Sequence, residues 1–301
     1  MTYGWIIYNG SLPGDKFLDF AEMLQRAASR AGSQVDIIKN NDLLAMTDSK
    51  GMELLRPDGL DIPDYCLFTD KDLHLARQLE TMGIPVFNNA HAIETSDDKI
   101  ATHQALAKMK IPMPRTISAP KTFLQDSPLG MKQLQLAAKT LGFPLVVKEA
   151  FGSFGQQVYL VNDMDELQNQ VRKIGGKPFL FQEFVETSRG IDLRLQVAGN
   201  EVVASVRRTA VDDFRANVTN GGKMHSYEPT DAECKLAIAA ARALGCDFAG
   251  VDLLHGENGP IVCEVNSNAH IHNLMDATGI DASDAIVRDV LCKVEDRRKQ
   301  F

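Results

Sequence analysis

The chain has 301 residues, 44% hydrophobic and 24% charged, the balance of an ordinary globular protein long enough for two or three domains. A formal net charge of −8 excludes a general nucleic-acid surface, while leaving room for a local basic pocket that binds phosphates. No apolar run approaches the roughly 20 residues of a membrane span, and the start, MTYGWIIYNG, lacks the basic n-region and cleavage site of a signal peptide.

That start reads instead as a first strand, Trp5 to Tyr8. Lys16 to Ala31 follows with apolar residues at helical spacing, then a strand at Val35 to Ile38, a turn-rich stretch at Arg56 to Asp64, and a strand at Tyr65 to Thr69. A helix at Leu73 to Met82 and a strand at Ile84 to Phe87 complete a βαβ rhythm over residues 1–95, which predicts a parallel sheet covered by helices. No GxGxxG follows the first strand, so a dinucleotide site there is unsupported. Residues 96–184 begin with a helix over Asp98 to Met109, capped by Ser96 or Asp97, which IPMP at Ile111 to Pro114 breaks. Strands at Arg115 to Ser118, Pro144 to Glu149, Gln157 to Val161 and Pro178 to Val185 alternate with helices at Met131 to Leu141 and Asp165 to Ile174. This is an α+β block with a small antiparallel sheet. Residues 185–301 open with a hairpin, Ile191 to Val197 and Glu201 to Arg208, turning at Gly199 and Asn200. A long polar loop (Thr209 to Tyr227), a helix (Asp231 to Leu244), a second hairpin (Phe248 to Leu254 with Pro260 to Asn266 across GENG) and a final helix (Ser283 to Arg297) follow. The long loop is of a length that is usually functional.

Three groups of residues carry chemistry. Asp252 sits among apolar residues in GVDLL, and Glu264 and Asn266 in CEVNSN are two apart, so they share one strand face. The hairpin sets Asp252 opposite them. Three oxygen donors on one face suit Mg²⁺, which takes one or two carboxylates plus substrate phosphates; the alternative is that they are salt-bridged. Lys148 ends the apolar strand PLVVKEA just before the loop FGSFG, and a lysine in a buried strand needs an anion such as a nucleotide phosphate. Lys99, at a helix start, is either a second phosphate ligand or solvated surface. Arg207, Arg208 and DFRAN (Asp213 to Asn217) supply guanidinium groups suited to phosphate and carboxylate. Asp192 and Arg194 share a strand face, as ribose acceptor and anion binder or as a simple ion pair. His270 and His272 lie near the proposed metal strand and read as loop residues. The five cysteines, Cys66, Cys234, Cys246, Cys263 and Cys292, show no CxxC pair and read as reduced thiols of a cytoplasmic protein. No nucleophilic triad can be assembled.

Lys99 in DDK, VVKE with Lys148, FGSFG, QEFV at Gln182 to Val185, GIDLR at Gly190 to Arg194, DFRAN, GVDLL and CEVNSN occur in an order that resembles the RimK-like ATP-grasp ligases. The resemblance runs from about Thr69 to the C-terminus. It implies an N-terminal α/β pre-ATP-grasp domain (1–95), a central lid domain (96–184) and a C-terminal antiparallel-sheet domain (185–301), with ATP clamped between two sheets. By resemblance, Lys99 and Lys148 bind ATP, and Ser153, Phe154 and Gly155 form the phosphate loop. Glu183, Phe184 and Val185 read adenine through the backbone, and Asp192 contacts ribose. Arg215 and Asn217 match nucleotide-site positions, Arg215 doubling as catalytic. Asp252, Glu264 and Asn266 match the ligands of magnesium, expected as two ions with Mn²⁺ as an alternative, and Arg207 resembles an arginine that steadies the acyl-phosphate. Two departures stand out: Gln156 and Gln157 follow Gly155 where many relatives carry another glycine, and the first seventy residues match no family motif.

The implied activity is an ADP-forming joining of a carboxylate substrate to an amine substrate, with L-glutamate as the expected addition to a small molecule, peptide or protein tail. A dimer or tetramer is the family expectation. The alternatives are a nucleotide-binding regulatory module that has lost ligation, and a phosphotransferase that stops at phosphoryl transfer.

Overall fold

The computed structural model describes residues 2–57, 59–122, 129–152, 155–210, 212–216 and 222–299. The N-terminal region runs β1 (Thr2–Tyr8), α1 (Lys16–Arg30), β2 (Ser33–Lys39), a hairpin of β3 (Leu44–Asp48) and β4 (Gly51–Leu55), β5 (Tyr65–Phe68), α2 (Leu73–Thr81), β6 (Val86–Phe87) and α3 (Ala90–Asp97). Strands β2, β1, β5 and β6 form a parallel sheet in that order. Both of its faces are buried: Ile6 and Tyr8 pack on the side of α1, Trp5 and Ile7 on the side of α2. Such double burial explains why β1 is a continuous apolar run.

The central region runs α4 (Lys99–Lys108), β7 (Thr116–Ser118), α5 (Met131–Leu141), β8 (Leu145–Glu149), β9 (Val158–Val161), α6 (Met164–Ile174) and β10 (Phe179–Glu183). Its sheet, ordered β7-β10-β8-β9, is antiparallel. Alternation along these strands divides labour: Leu145, Val147, Phe179 and Phe181 pack in one core with residues of α5 and α6, while Val146, Lys148 and Gln182 turn to the opposite face. The last region runs β11 (Ile191–Ala198), β12 (Glu201–Thr209), β13 (Lys223–Ser226), α7 (Asp231–Ala243), β14 (Phe248–Gly256), β15 (Gly259–Asn266), α8 (His272–Thr278) and α9 (Ser283–Arg298). Its antiparallel sheet is ordered β13-β12-β11-β14-β15. Leu193, Leu195, Val251 and Leu253 pack with residues of α7, which leaves Asp192, Arg194 and Asp252 on the other face. Helix α7 starts with a full capping box between Thr230 and Glu233.

The architecture is the expected mixture of one parallel and two antiparallel sheets. Several elements differ from the expectation. The β3–β4 hairpin is almost wholly exposed, with only Leu54 buried, so it lacks the apolar alternation that marks a strand. Strand β13 lies inside the stretch expected as a loop and gains its strand character from pairing with β12. Helices α3 and α8 are short. Helix α4 begins at Lys99 under an Asp98 cap, which accepts from the N–H groups of Ile100 and Ala101. Among the described residues no helix is long and apolar enough to cross a membrane.

Two buried polar side chains fix the regions on one another. The Asn88 amide donates to the carbonyls of Phe248 and Ser267 (2.8 and 2.9 Å) and accepts from the N–H of Asp247 (2.6 Å) and Phe248, tying the N-terminal region to β14 and β15. His103 does the same for α4. Its Nδ1–H donates to the Lys99 carbonyl (2.7 Å), and its Nε2 accepts from the Gln182 amide of β10 (2.7 Å). Both ring nitrogens are thereby committed in the neutral form. Burial, reinforced by the Lys148 and Lys99 charges, pushes the imidazole down to about 4. The unfolded chain takes up a proton below about pH 6.5 that the folded chain refuses, so stability is full above that pH and falls until about pH 4. The gap corresponds to roughly 3 kcal/mol. Unfolding of the wild type and of His103→Gln in urea from pH 7 to pH 4 should show a markedly shallower decline for the variant; equal slopes would rule out this histidine as the titrating group.

Candidate active site

A cleft of about 840 Å³ opens between the inner faces of the central and C-terminal sheets. Its walls include Lys99, Lys148, Gly155, Glu183, Phe184, Val185, Asp192, Arg215, Asp252 and Glu264, all expected site residues. Ser153, Phe154 and Asn217 lie outside the described residues.

Lys99 and Lys148 are both buried. The Lys99 ammonium donates to the Gly152 carbonyl at 3.0 Å, and that of Lys148 to the Cys263 Sγ at 3.7 Å. Among the described residues neither has a carboxylate within ion-pair distance. Burial pushes the Lys99 ammonium below the usual lysine range, and Glu264 across the cleft only partly restores it. Two desolvated cations without counter-ions are costly unless an anion joins them.

The C-terminal sheet holds a second group of charges, set by register. Asp192 faces Arg208 across β11 and β12, and Arg194 faces Asp252 across β11 and β14. Arg208 grips Asp192 with two bonds of 2.6 and 2.7 Å and reaches Asp252 at 2.9 Å. Arg194 grips Asp252 with two bonds of 2.7 Å. Burial opposes ionisation of Asp252, but the two guanidinium groups together hold its carboxyl below the usual range. Asp192 and Arg194 therefore do not pair with each other; each has its own cross-strand partner.

This arrangement corrects one expectation and bears on a second. Arg207 is exposed and does not line the cleft; Arg208 does, buried between two carboxylates. A plain hairpin turning at Gly199 and Asn200 would set residue 207 opposite Asp192. A one-residue bulge between Gln196 and Val197 advances the pairing and brings in Arg208. For Asp252 the salt-bridged alternative holds: Oδ1 accepts from Arg194, and Oδ2 from Arg194 and Arg208. Glu264 is its direct cross-strand neighbour, again through a bulge, at Asp252/Leu253.

Among the described residues no three His, Cys, Asp or Glu side chains converge as a ready-made metal site. The residues nonetheless fit an oxygen-preferring cation such as Mg²⁺. Glu264 has neither ion pair nor hydrogen bond among the described residues. The Asn266 Nδ2 is buried without an acceptor, a place its carbonyl oxygen takes after a half-turn of the amide. Asp252 can join as well, since its Oδ1 accepts from Arg194 alone and keeps a second lone pair.

At the other end of the cleft, the Glu183 carboxylate is taken by Arg115, whose backbone N–H donates to it at 2.8 Å, and its own N–H donates to the Arg115 carbonyl. Phe184 is covered by the Arg189 guanidinium at 4.6 Å and meets Phe214 edge-on. Arg215 clamps Asp213 (2.7 Å) and donates to the Gly155 carbonyl, so the DFRAN segment and the glycine loop are tied together. Phe214, Gln182 and Cys263 also line the cleft. Strand alternation marks Gln182, one residue from the core position Phe181, whereas no local pattern marks Phe214 or Cys263.

A family model described as a RimK-like ATP-grasp domain matches residues 96–290. A probable alpha-L-glutamate ligase of Parasynechococcus marenigrum (strain WH8102) is 36% identical over 220 residues, 72% of this chain and 45% of that protein. One of Legionella pneumophila (strain Corby) is 37% identical over 217 residues, 70% of this chain and 68% of that protein. The chain thus spans less than half the length of the first relative. Among solved structures, a RimK-domain ATP-grasp protein of Sphaerobacter thermophilus superposes with TM-score 0.71 at 21% identity, covering 95% of this chain and 98% of that one. The D-alanine–D-alanine ligase of Bacillus anthracis, solved with ATP, gives 0.71 at 18% identity over 100% and 99%. At those identities the superpositions speak for the fold alone. The family match takes in both sheets that wall the cleft, and the chain belongs to the RimK-like ATP-grasp ligases.

Proposed function

We propose that the chain joins a carboxylate to an amine in an ATP- and Mg²⁺-dependent reaction through an acyl-phosphate, with L-glutamate supplying the amine. The observation that carries this reading is the pair of buried ammonium groups, Lys99 and Lys148, which face the Glu264 carboxylate across one cleft, none of the three having an ion-pair partner among the described residues. Such an arrangement suits a polyphosphate bound with a cation, and it has no use for a neutral ligand.

In this reading the Val185 segment and Phe184 hold the adenine, since the Glu183 N–H is already bonded, and Asp192, steadied by Arg208, meets the ribose. Lys99 and Lys148 take the phosphates. Glu264 and Asn266, joined by Asp252, would hold Mg²⁺, which when bound neutralises charge on the phosphates. A carboxylate is a poor electrophile until phosphorylated. Arg208, rather than Arg207, then steadies the acyl-phosphate, and Arg215 keeps the glycine loop closed over it against water. An α-amine, with a pKa near 7.7–8.0, is partly neutral at cell pH and needs little help from a base.

The reading is tested by ADP release from purified protein with amino acids crossed against candidate acceptors, with mass spectrometry of the product. A new amide supports it. A phosphorylated product without an amide would mark a phosphotransferase, and nucleotide binding without any ADP release would mark a regulatory module. Glu264→Ala should lower turnover at least ~10²-fold, the scale of losing a principal electrostatic stabiliser; near-normal turnover with Mg²⁺ would remove Glu264 from the mechanism. The two adjacent arginines should separate cleanly. Arg207→Ala should keep turnover within about threefold of wild type, whereas Arg208→Lys, which loses the two-pronged grip on Asp192, should lose at least ~10-fold. The reverse order in steady-state kinetics would restore Arg207 to the site.

A further inference from the structure

The parallel sheet carries a feature that the nucleotide cleft does not use. From β1 the chain crosses by α1 to β2 on one side, and from β5 it crosses by α2 to β6 on the other. The two helices cover opposite faces. The connections therefore part company between β1 and β5, and in an open parallel sheet the crevice beyond the carboxyl ends of two such strands is where ligands bind. Asn9 directly follows β1, and Asp70 follows β5 by two residues.

The side chains there are incompletely satisfied. Asp70 is 94% buried, being 6% exposed. Its Oδ1 accepts from Asn9 Nδ2 (3.0 Å) and from the Lys71 N–H (2.7 Å), while its Oδ2 is buried with no partner. Asn268, just past β15 and two residues beyond Asn266, donates its Nδ2 to the Asp70 carbonyl at 2.8 Å. That bond fixes the amide orientation, and the Asn268 Oδ1 is likewise buried without a donor. Two acceptor oxygens on touching residues thus lack donors, and one of them belongs to a carboxylate. Burial raises the Asp70 carboxyl above its usual range, so a cation beside it would be strongly favoured. Asn9 and Asn268, the two side chains bonded to Asp70, are themselves only half-buried.

We propose that Asp70, with Asn268, binds the ammonium group of the amine substrate at the crevice between β1 and β5. The ligand class is a primary amine captured as its cation, a group with donors only and a charge opposite to that of the carboxylate; before attack the ammonium gives one proton to the Asp70 carboxylate, and the neutral amine then reacts. The site is joined to the metal-side strand by chain continuity, since Asn268 follows Glu264 and Asn266 at steps of two. It explains how a region with no family motif takes part in the reaction. The assignment rests on the ligase reading for the name of its ligand and on the crevice geometry for its place.

Binding separates the two. With a non-hydrolysable ATP analogue and Mg²⁺ present, L-glutamate, L-aspartate, L-lysine and glycine are each titrated calorimetrically against the same acid lacking its α-amine. The wild type should prefer at least one amino acid over its deaminated counterpart by more than about tenfold, the scale of a charge-assisted bond. Asp70→Asn should abolish that preference, and Asn268→Ala should weaken it severalfold; melting temperatures report whether each variant is folded. The assignment is overturned if the wild type shows no amine preference, or if the preference survives in a folded variant of Asp70, as it would were that carboxyl merely a protonated partner of Asn268. Ligation with an intact preference in Asp70→Asn would sink this site and leave the ligase reading standing. An amine preference that depends on Asp70 without any ADP release would do the opposite.

Discussion

Two one-residue bulges fix the chemistry of the C-terminal sheet. Counted back from the turn at Gly199 and Asn200, a regular hairpin sets Asp192 against residue 207; the bulge at Gln196/Val197 substitutes Arg208. Counted from the β14–β15 turn, a regular hairpin sets Asp252 against Cys263; the bulge at Asp252/Leu253 substitutes Glu264. Each bulge adds a single residue and exchanges the side chain that faces the cleft. Without the first, Arg207 would stand beside Asp192 and Arg208 would be turned away. Without the second, a thiol would stand in the row of charges and Glu264 would be out of register. The places of Arg208 and Glu264 follow from those two offsets, and the Arg194–Asp252 pair from the unbroken register of β11 on β14.

The wall is also costly to assemble. Arg208 and Asp252 are nearly inaccessible to water, and bringing such ions out of solvent costs several kcal/mol each before their mutual attraction is counted. The sheet meets that cost by alternating signs, Asp192–Arg208–Asp252–Arg194, so that each carboxylate is gripped by two prongs and the group is neutral. Neutral packing on the far side, from Leu193, Leu195, Val251 and Leu253 against α7, holds the strands in place independently of those charges. The opposite wall is built on a different plan. Lys99 and Lys148 are held by a carbonyl and a thiol, partners that position an ammonium without neutralising it.

Much of this was legible in the sequence, for identifiable reasons. The apolar runs of PLVVKEA and GVDLL, each interrupted by charge, announced buried strands with something to bind, and the structure has Lys148 and Asp252 lining the cleft. The Gly199–Asn200 turn located the first hairpin. What escaped was whatever depends on long-range pairing rather than local pattern. A bulge has no composition of its own, so Arg207 and Arg208 could not be told apart. Strand β13 reads KMHS, with no apolar face, and is a strand only because β12 offers it partners. The β3–β4 hairpin buries Leu54 and little else. The occupancy of Asp252 was invisible for the same reason: its arginine partners come from two other strands, brought alongside by the sheet order β12-β11-β14.

The distinction between paired and unpaired buried charges separates scaffold from site throughout the molecule. A charge that the fold neutralises from within already has a counter-charge, and a ligand that shares it gains correspondingly less. Asp252 is of that kind, as is Glu183, bonded to Arg115. A buried group that the fold positions but does not neutralise holds unspent interaction energy, and the folded state tolerates it because enough apolar surface is buried elsewhere. Lys99, Lys148, Glu264 and the second oxygen of Asp70 are of this second kind, and they do not coincide with the residues of highest charge density. Three of them face the cleft and the fourth stands at the sheet crevice joined to it by Asn268. Read by charge alone, the Asp192–Arg208–Asp252–Arg194 group would be the obvious centre of the reaction. Read by what remains unsatisfied, that group is the preset floor of the cleft, and the charges still without a partner among the described residues are the two lysines and Glu264 that face the cleft, with the Asp70 oxygen beside the N-terminal sheet.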